Sequence, residues 1–201
     1  MKDLVLYLHG KGGSPAEAAH YRPIFPHADV VGLDYRVQTP WEAREVLPRL
    51  AAPHLTGHGR VTLIANSIGA FLAMQALGGL PFAAAFFLSP IVDMEGMILG
   101  MLASVGETEA SLRARGTIPT PWGEPLEWRY LADVRSHPIE WHVPTQIICG
   151  AHDEMTPLPT MTAFAERIGA GLTVLPDSAH WLHTPEEMQA IDRWLLAHRP
   201  G

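Results

Sequence analysis

The chain has 201 residues, of which 47% are hydrophobic, and its 21 acidic and 14 basic side chains give a formal net charge of −7. This length suffices for one well-buried core with an insertion and is short for two domains, so we expect a single domain over residues 1–201. The acidic balance leaves no basic surface of the kind that binds a phosphate backbone, and we expect no nucleic-acid partner.

Six short apolar runs alternate with longer segments of helical period. The runs are almost continuously hydrophobic, whereas strands with one wet face would alternate, so they predict a parallel sheet covered by helices on both faces. The predicted class is α/β, with three layers and a mainly parallel six-stranded sheet. In chain order, the predicted strands are residues 4–8, 29–33, 61–64, 83–88, 146–149 and 172–175, and the predicted helices are residues 15–22, 40–53, 67–77, 158–168 and 185–198.

Two helix starts carry capping signals. Thr39 and Thr184 each stand directly before a proline, and a glutamate, Glu42 or Glu187, follows three residues after the threonine. A hydroxyl at the N-cap with a glutamate at the third helical position is the pattern of a capping box. Helices are therefore predicted to begin at residues 40 and 185.

Residues 91–143, between the fourth and fifth strands, are far longer than an ordinary connection with one helix. We expect this segment, named here the cap, to be a small helical insertion over the carboxyl edge of the sheet. Apolar residues at 94, 97, 98, 101 and 102 have the spacing of an amphipathic helix. Such a stripe is more often ordinary core than pocket lining, but Met94, Met97 and Met101, together with Trp181, are candidates for a substrate pocket.

The sequence ANSIG, residues 65–69, stands where the third strand passes into the next helix. Ser67 has a small residue two positions away on each side, Ala65 and Gly69, as a sharp strand-to-helix turn requires. The pattern is a variant of the G-x-S-x-G nucleophile elbow, which exposes the serine oxygen and directs the following N–H, that of Ile68, at an oxyanion. An ordinary N-cap serine is the alternative interpretation.

Three further motifs follow other strands at the same predicted edge. LHGKGGS, residues 8–14, could supply the Lys11 N–H as a second oxyanion donor. GAHDEMTP, residues 150–157, places Asp153 just beyond the fifth strand, and SAHWLHTPEE, residues 178–187, places His180 beyond the sixth. Imidazole is the natural general base for a serine, and a carboxylate would orient it. Asp93 is an alternative acid, although we expect it to cap the helix of the cap.

The order Ser67, Asp153, His180, each after a different parallel strand, resembles the α/β-hydrolase superfamily over nearly the whole chain. Among its members, the chain is similar to small bacterial carboxylesterases, acylglycerol lipases and serine aminopeptidase-like proteins. The resemblance implies a minimal α/β-hydrolase fold and cofactor-free hydrolysis of a small-molecule carboxylic ester through an acyl-enzyme on Ser67. The methionine stripe of the cap favours an ester with an apolar acyl chain. Thioesterase or peptidase activity with the same residues, and a non-hydrolytic binding protein or lyase, stay open. Ala65 departs from the usual first elbow glycine.

Other features bear on metals, partners and location. The pair His180 and His183 has no third ligand at a suitable spacing, so we expect no metal. The single Cys149 cannot form an internal disulfide and the N-terminal apolar run is too short for a signal peptide, so we expect a cytoplasmic protein. No window reaches the roughly 20 apolar residues of a membrane helix. A homodimer through the cap or an edge strand stays open.

Overall fold

Six parallel strands form the central sheet of the computed structural model, which describes residues 1–200. The strand order is β2-β1-β3-β4-β7-β8, and each neighbouring pair is parallel. The predicted parallel six-stranded sheet is confirmed, and no strand end differs from its predicted position by more than two residues. The strands are β1 (Asp3–Leu8), β2 (Ala28–Gly32), β3 (Val61–Asn66) and β4 (Phe82–Leu88), then β5 (Thr117–Ile118) and β6 (Leu126–Glu127), which form a separate antiparallel pair, and finally β7 (Thr145–Gly150) and β8 (Gly171–Leu175).

The helices begin where the capping signals predict. The Thr39 hydroxyl accepts the Glu42 N–H and the Thr184 hydroxyl accepts the Glu187 N–H, so helices start at residues 40 and 185. The segment predicted as a helix over residues 15–22 is instead a 3₁₀ helix, Pro15–Tyr21, because the stretch before Pro23 is too short for many i→i−4 bonds. The α-helices are α1 (Pro40–Leu55), α2 (Ile68–Ala76), α3 (Met94–Ser104), α4 (Glu109–Arg115), α5 (Trp128–Ser136), α6 (Leu158–Ile168) and α7 (Pro185–His198).

The sheet separates two apolar cores, which explains why its strands are hydrophobic almost without interruption. Alternate residues of a strand point to opposite faces. In β1, Leu4, Leu6 and Leu8 pack in the core shared with α1, α2, α6 and the cap. Val5 and Tyr7 pack in the core shared with the 3₁₀ helix and α7. The result is three layers, with the sheet in the middle.

The cap contains more than the single helix predicted from its methionine stripe. It holds α3, α4, α5 and the β5–β6 hairpin. Buried cap residues such as Ile98, Leu112 and Leu131 belong to the same apolar core as one face of the sheet. The cap therefore packs on the side of the sheet that also carries α1 and α2. Over residues 1–200, no helix combines the length and apolar character needed to cross a membrane.

Candidate active site

Ser67 stands alone between β3 and α2, in a backbone conformation that serine rarely adopts. Its φ of 52° and ψ of −121° lie in the left-handed half of φ/ψ space, where a side chain is strained. Hydrogen bonds to neighbouring segments hold this conformation: the Ser67 N–H donates to the Leu88 carbonyl at the end of β4 (2.9 Å), and the Ser67 carbonyl accepts the N–H groups of Ala70 (3.1 Å) and Ile91 (3.3 Å).

The end of β1 explains the small residue at position 69. A Cβ atom at Gly69 would lie 2.3 Å from the His9 carbonyl oxygen and 2.9 Å from the Leu8 carbonyl oxygen. Gly69 therefore lets the first turn of α2 pass directly against the backbone that follows β1. Ala65, at the other small position, is fully buried in β3 and its methyl group fits there.

The structure brings together the three residues that the sequence singled out. Ser67 Oγ lies 2.8 Å from His180 Nε2, and His180 Nδ1 lies 2.8 Å from Asp153 Oδ2. The Asp153 side chain is fully buried and the His180 side chain is 14% exposed. A carboxylate can only accept, so the proton of the neutral ring belongs on Nδ1, and Nε2 is left to accept from the Ser67 hydroxyl.

Backbone contacts fix the two loops that carry Asp153 and His180. Asp153 Oδ1 accepts the N–H groups of Met155 and Thr156, both at 2.9 Å. A Cβ atom at Gly150 would lie 2.2 Å from the Ser178 carbonyl oxygen, so glycine at the end of β7 allows the loop before His180 to pack directly on it. This role of Gly150 was not predicted from the sequence.

Asp93, the alternative acid, has a different partner. Its Oδ1 accepts the Gly96 N–H at 2.8 Å as the N-cap of α3. His180 Nδ1–H donates instead to Asp153 Oδ2. The expectation that Asp93 caps the cap helix is confirmed.

The glycine-rich loop, defined as residues 9–14, lies against the elbow. A Cβ atom at Gly10 would lie 3.4 Å from the Ser67 Cβ. Lys11 and Ile68 line the same cavity as Ser67, and neither backbone N–H has an acceptor within residues 1–200. Tyr35, which no sequence signal singled out, stacks on His9 with ring centroids 4.4 Å apart, and its hydroxyl donates a hydrogen bond to the His9 carbonyl.

A large cavity of about 610 Å³ opens onto Ser67 between the sheet edge and the cap. Its lining is part apolar and part polar. Apolar side chains come from α2, α3 and the start of the cap, and also from the β5–β6 hairpin, which contributes Trp122 and Leu126. Polar side chains come mainly from the glycine-rich loop, the segment before α1 and the same hairpin. The apolar group includes Leu72, Ile91, Met94, Met97, Ile98 and Met101, and the polar group includes Lys11, Arg36, Gln38, Thr39, Glu124 and Glu127.

The structure places the four predicted pocket residues in two locations. Met94, Met97 and Met101 line the large cavity. Trp181 does not: its side chain is 64% exposed and stacks on His183 with ring centroids 4.2 Å apart, so its assignment to the pocket is corrected. His180 turns its ring toward Ser67, and the side chain that follows it points outward.

Two further kinds of group bear on the chemistry at this edge, a thiol and metal-ligating side chains. Cys149 is buried at the end of β7, where burial and then the Asp153 charge raise the pKa of its thiol to about 11, so it stays protonated near neutral pH. Within residues 1–200, no group of three or more His, Cys, Asp or Glu side chains is arranged to hold a metal ion.

Comparison with known proteins assigns the fold. No protein-family model and no curated protein matches the sequence. Among solved structures, Est1E from Butyrivibrio proteoclasticus is similar over 98% of this chain and 86% of its own (TM-score 0.75, 14% identity). Mouse alpha/beta hydrolase domain-containing protein 10 is similar over 96% of this chain and 87% of its own, with a TM-score of 0.74 and 13% identity. The Paleococcus ferrophilus monoacylglycerol lipase is similar over 97% of this chain and 94% of its own, with a TM-score of 0.62 and 13% identity. The chain has the α/β-hydrolase fold.

Proposed function

We propose that the protein is a serine hydrolase that cleaves carboxylic esters through an acyl-enzyme on Ser67. The observation that carries the proposal is the continuous hydrogen-bond chain from the Ser67 hydroxyl through His180 to the buried Asp153 carboxylate. Binding a ligand does not require a base beside a hydroxyl, whereas an enzyme that forms an acyl-serine intermediate needs both groups.

The proposed cycle has two halves. In the first, His180 Nε2 takes the Ser67 proton as the oxygen attacks the ester carbonyl, and the N–H groups of Ile68 and Lys11 bind the oxyanion. The imidazolium, stabilised by Asp153, then gives its proton to the departing alcohol. In the second half, His180 deprotonates a water that attacks the acyl-enzyme, and Ser67 recovers its proton as the acid leaves.

The large cavity supports an ester with an apolar acyl chain. The methionines of α3 and the neighbouring Ile91 and Leu72 give one side of the cavity an adaptable apolar surface. One structural neighbour is a monoacylglycerol lipase, a lipase of this fold, which is in keeping with this substrate class. We propose a medium-length acyl chain on that side, with Ser67 at its carbonyl end.

Labelling with a fluorophosphonate probe tests the nucleophile. The wild-type protein should be labelled on Ser67, and Ser67→Ala should not be labelled at all. Ser89→Ala is the matched control, because Ser89 also has a positive φ (41°), is buried beyond the next strand and has no hydrogen-bond partner for its hydroxyl within residues 1–200. That variant should keep its labelling.

Hydrolysis of p-nitrophenyl esters from acetate to dodecanoate then tests the reaction. We expect turnover that rises with acyl length to an optimum and is absent in Ser67→Ala. A thioester and an amide of the same acyl group distinguish the related activities. Unlabelled wild-type protein without turnover on any of these substrates would overturn the proposal in favour of a binding protein.

A further inference from the structure

Glu17, in the 3₁₀ helix, joins the glycine-rich loop to the end of β1. One oxygen of its carboxylate accepts the Ser14 N–H at 2.8 Å, and the other accepts the Tyr7 hydroxyl at 2.6 Å. Both bonds involve a carboxylate, and charge-assisted bonds are about twice as strong as neutral ones. Tyr7 is fully buried in β1, so Glu17 fastens one end of the loop to the rigid sheet.

The same carboxylate packs against the middle of the glycine-rich loop. A Cβ atom at Gly13 would lie 2.7 Å from one Glu17 oxygen and 3.1 Å from the other. Gly12, just before it, has a φ of 75° and nothing within 4 Å of its Cβ position. The Gly13 N–H donates to the Gly10 carbonyl at 3.1 Å and closes a turn around Lys11 and Gly12. Tyr35 holds the His9 end of the loop, and the Glu17 contacts hold the Gly13 and Ser14 end. Because glycines restrict the backbone little, Lys11 depends on both anchors for its position.

Glu17 lies outside the large cavity, so it does not contact a substrate bound there. It is absent from the lining of the large cavity but lines a small cavity of about 140 Å³ with Tyr7 and Asn66, the residue before Ser67. Burial above all raises the pKa of Tyr7, and the Asn66 amide opposes that rise. The Glu17–Tyr7 pair thus lies between the glycine-rich loop and the backbone of the elbow.

We propose that Glu17 is a positioning residue that holds the Lys11 N–H in place as an oxyanion donor. The inference rests on the proposed function. Oxyanion donors must lie within about 2.7–3.1 Å of the developing charge, and a displacement of about 1 Å can cost about a hundredfold in rate. An ordinary helix cap in the same place would contribute stability and leave the transition state unaffected.

Three substitutions separate these roles. Glu17→Gln keeps one acceptor oxygen but loses the charge and the second acceptor, and should lower kcat about tenfold with KM within about twofold. Glu17→Ala removes both bonds and should lower kcat about a hundredfold. Tyr7→Phe removes one donor and keeps the ring, and should resemble Glu17→Gln.

The decisive readout is affinity for an alkyl boronic acid, whose adduct with Ser67 is tetrahedral and occupies the oxyanion site. The inhibition constant should rise in each variant by the same factor as kcat falls. Asp3→Asn is the matched control. Asp3 lies at the opposite end of β1, and its carboxylate, like that of Glu17, accepts one hydrogen bond from a backbone N–H and one from a side chain, here both of Arg60. It should lower the melting temperature without changing kcat or boronic-acid affinity.

The outcomes separate this inference from the proposed function. Wild-type protein that neither turns over esters nor binds the boronic acid overturns both. Active wild-type protein with unchanged kcat and boronic-acid affinity in Glu17→Gln and Tyr7→Phe overturns only the role of Glu17, leaving it a helix cap. Should Glu17→Ala fail to fold, the two conservative variants decide the question.

Discussion

At the scale of single residues, Asp153 is oriented by its own turn. The N–H groups of Met155 and Thr156 occupy one carboxylate oxygen, and the other faces His180 Nδ1. These bonds hold the fully buried carboxylate in one orientation. A histidine beside such a fixed acceptor is held in one tautomer, the one whose Nε2 can take a proton from Ser67.

Asp153→Asn should therefore lower kcat on the order of a thousandfold to ten-thousandfold, because an amide can present an N–H to His180 and favour the wrong tautomer. Steady-state kinetics on the best p-nitrophenyl ester measure this loss. The control is Asp93→Asn, which should leave both kcat and stability nearly unchanged, since asparagine caps a helix about as well as aspartate. A larger loss in Asp93→Asn than in Asp153→Asn would reverse the assignment of the acid.

The two small residues of the elbow should respond differently to substitution. Gly69→Ala puts a methyl group within 2.3 Å of the His9 carbonyl oxygen, so either α2 or the glycine-rich loop must move. We expect a loss of about 1–3 kcal/mol in the free energy of unfolding and of about a hundredfold or more in kcat.

Ala65→Gly, which restores the usual elbow pattern, is the companion test. It should cost about 1–2 kcal/mol in stability, because a buried methyl group is lost and the strand becomes more flexible, and it should leave kcat within about twofold. Chemical denaturation and ester kinetics on both variants measure these effects. An increase in kcat in Ala65→Gly would show that Ala65 restrains the nucleophile.

At the scale of secondary-structure elements, α3 contributes Met94, Met97, Ile98 and Met101 to the apolar lining of the large cavity. Met97 is partly buried and lines the cavity, whereas Gly100, on the same helix, has nothing within 4 Å of its Cβ position. A substitution at Met97 therefore changes the cavity, whereas a substitution at Gly100 on the same helix does not.

Met97→Trp should shorten the preferred acyl chain. A larger ring in the cavity removes space for the distal methylenes, and contacts of this size are worth about tenfold or more in kcat/KM. We expect kcat/KM for the dodecanoate ester to fall at least about tenfold while that for the acetate ester stays within about twofold. Gly100→Ala should leave the chain-length profile unchanged and add about 0.5–1 kcal/mol of stability. Equal losses at every chain length would place the acyl group elsewhere.

The elements also show what could be predicted from the sequence. The strands and the main helices follow from hydrophobic runs and capping residues such as Thr39 and Thr184, because these signals are local. The β5–β6 hairpin was missed because its two-residue strands show no periodicity. α4 and α5 were missed within the cap, where the methionine stripe was the one segment with a strong repeat.

The site divides in the same way. The positions of Ser67, Asp153 and His180 follow from topology, because residues just after parallel strands meet at one edge of the sheet. The bond from the Ser14 N–H to Glu17 is a local capping-box contact of the kind seen at Thr39 and Thr184. The outward direction of Trp181, the Tyr7–Glu17 bond and the contacts of Tyr35 and Gly150 depend instead on how separate segments pack on one another, which local sequence signals do not specify.

At the scale of the whole molecule, all four tyrosines have a raised pKa. Burial is the main cause at each of them, and it occurs in both cores: Tyr7 and Tyr21 pack on one side of the sheet, and Tyr35 and Tyr130 pack on the other. Each native tyrosine therefore keeps its proton at a pH where the same residue in the unfolded chain, with a pKa of about 10, has lost it.

The protein should consequently lose stability as the pH rises through about 10. Below that pH the tyrosines are protonated in both states and the full stability is present. Above it the unfolded chain binds fewer protons, so the free energy of unfolding falls by up to about 1.4 kcal/mol per pH unit for each tyrosine. Denaturant titrations at increasing pH measure the slope, and tyrosinate absorbance should rise together with the loss of circular dichroism.

Tyr21→Phe provides the control for that prediction. The Tyr21 hydroxyl has no hydrogen-bond partner within residues 1–200, so its removal should disturb the native state little. Above about pH 10, the free energy of unfolding of this variant should fall less steeply with pH, by the contribution of one tyrosine. Tyrosinate absorbance that appears near pH 10, before the fold is lost, would show that these side chains reach solvent in the native state. Because the four residues lie on both faces of the sheet, alkaline unfolding should involve both cores in one transition.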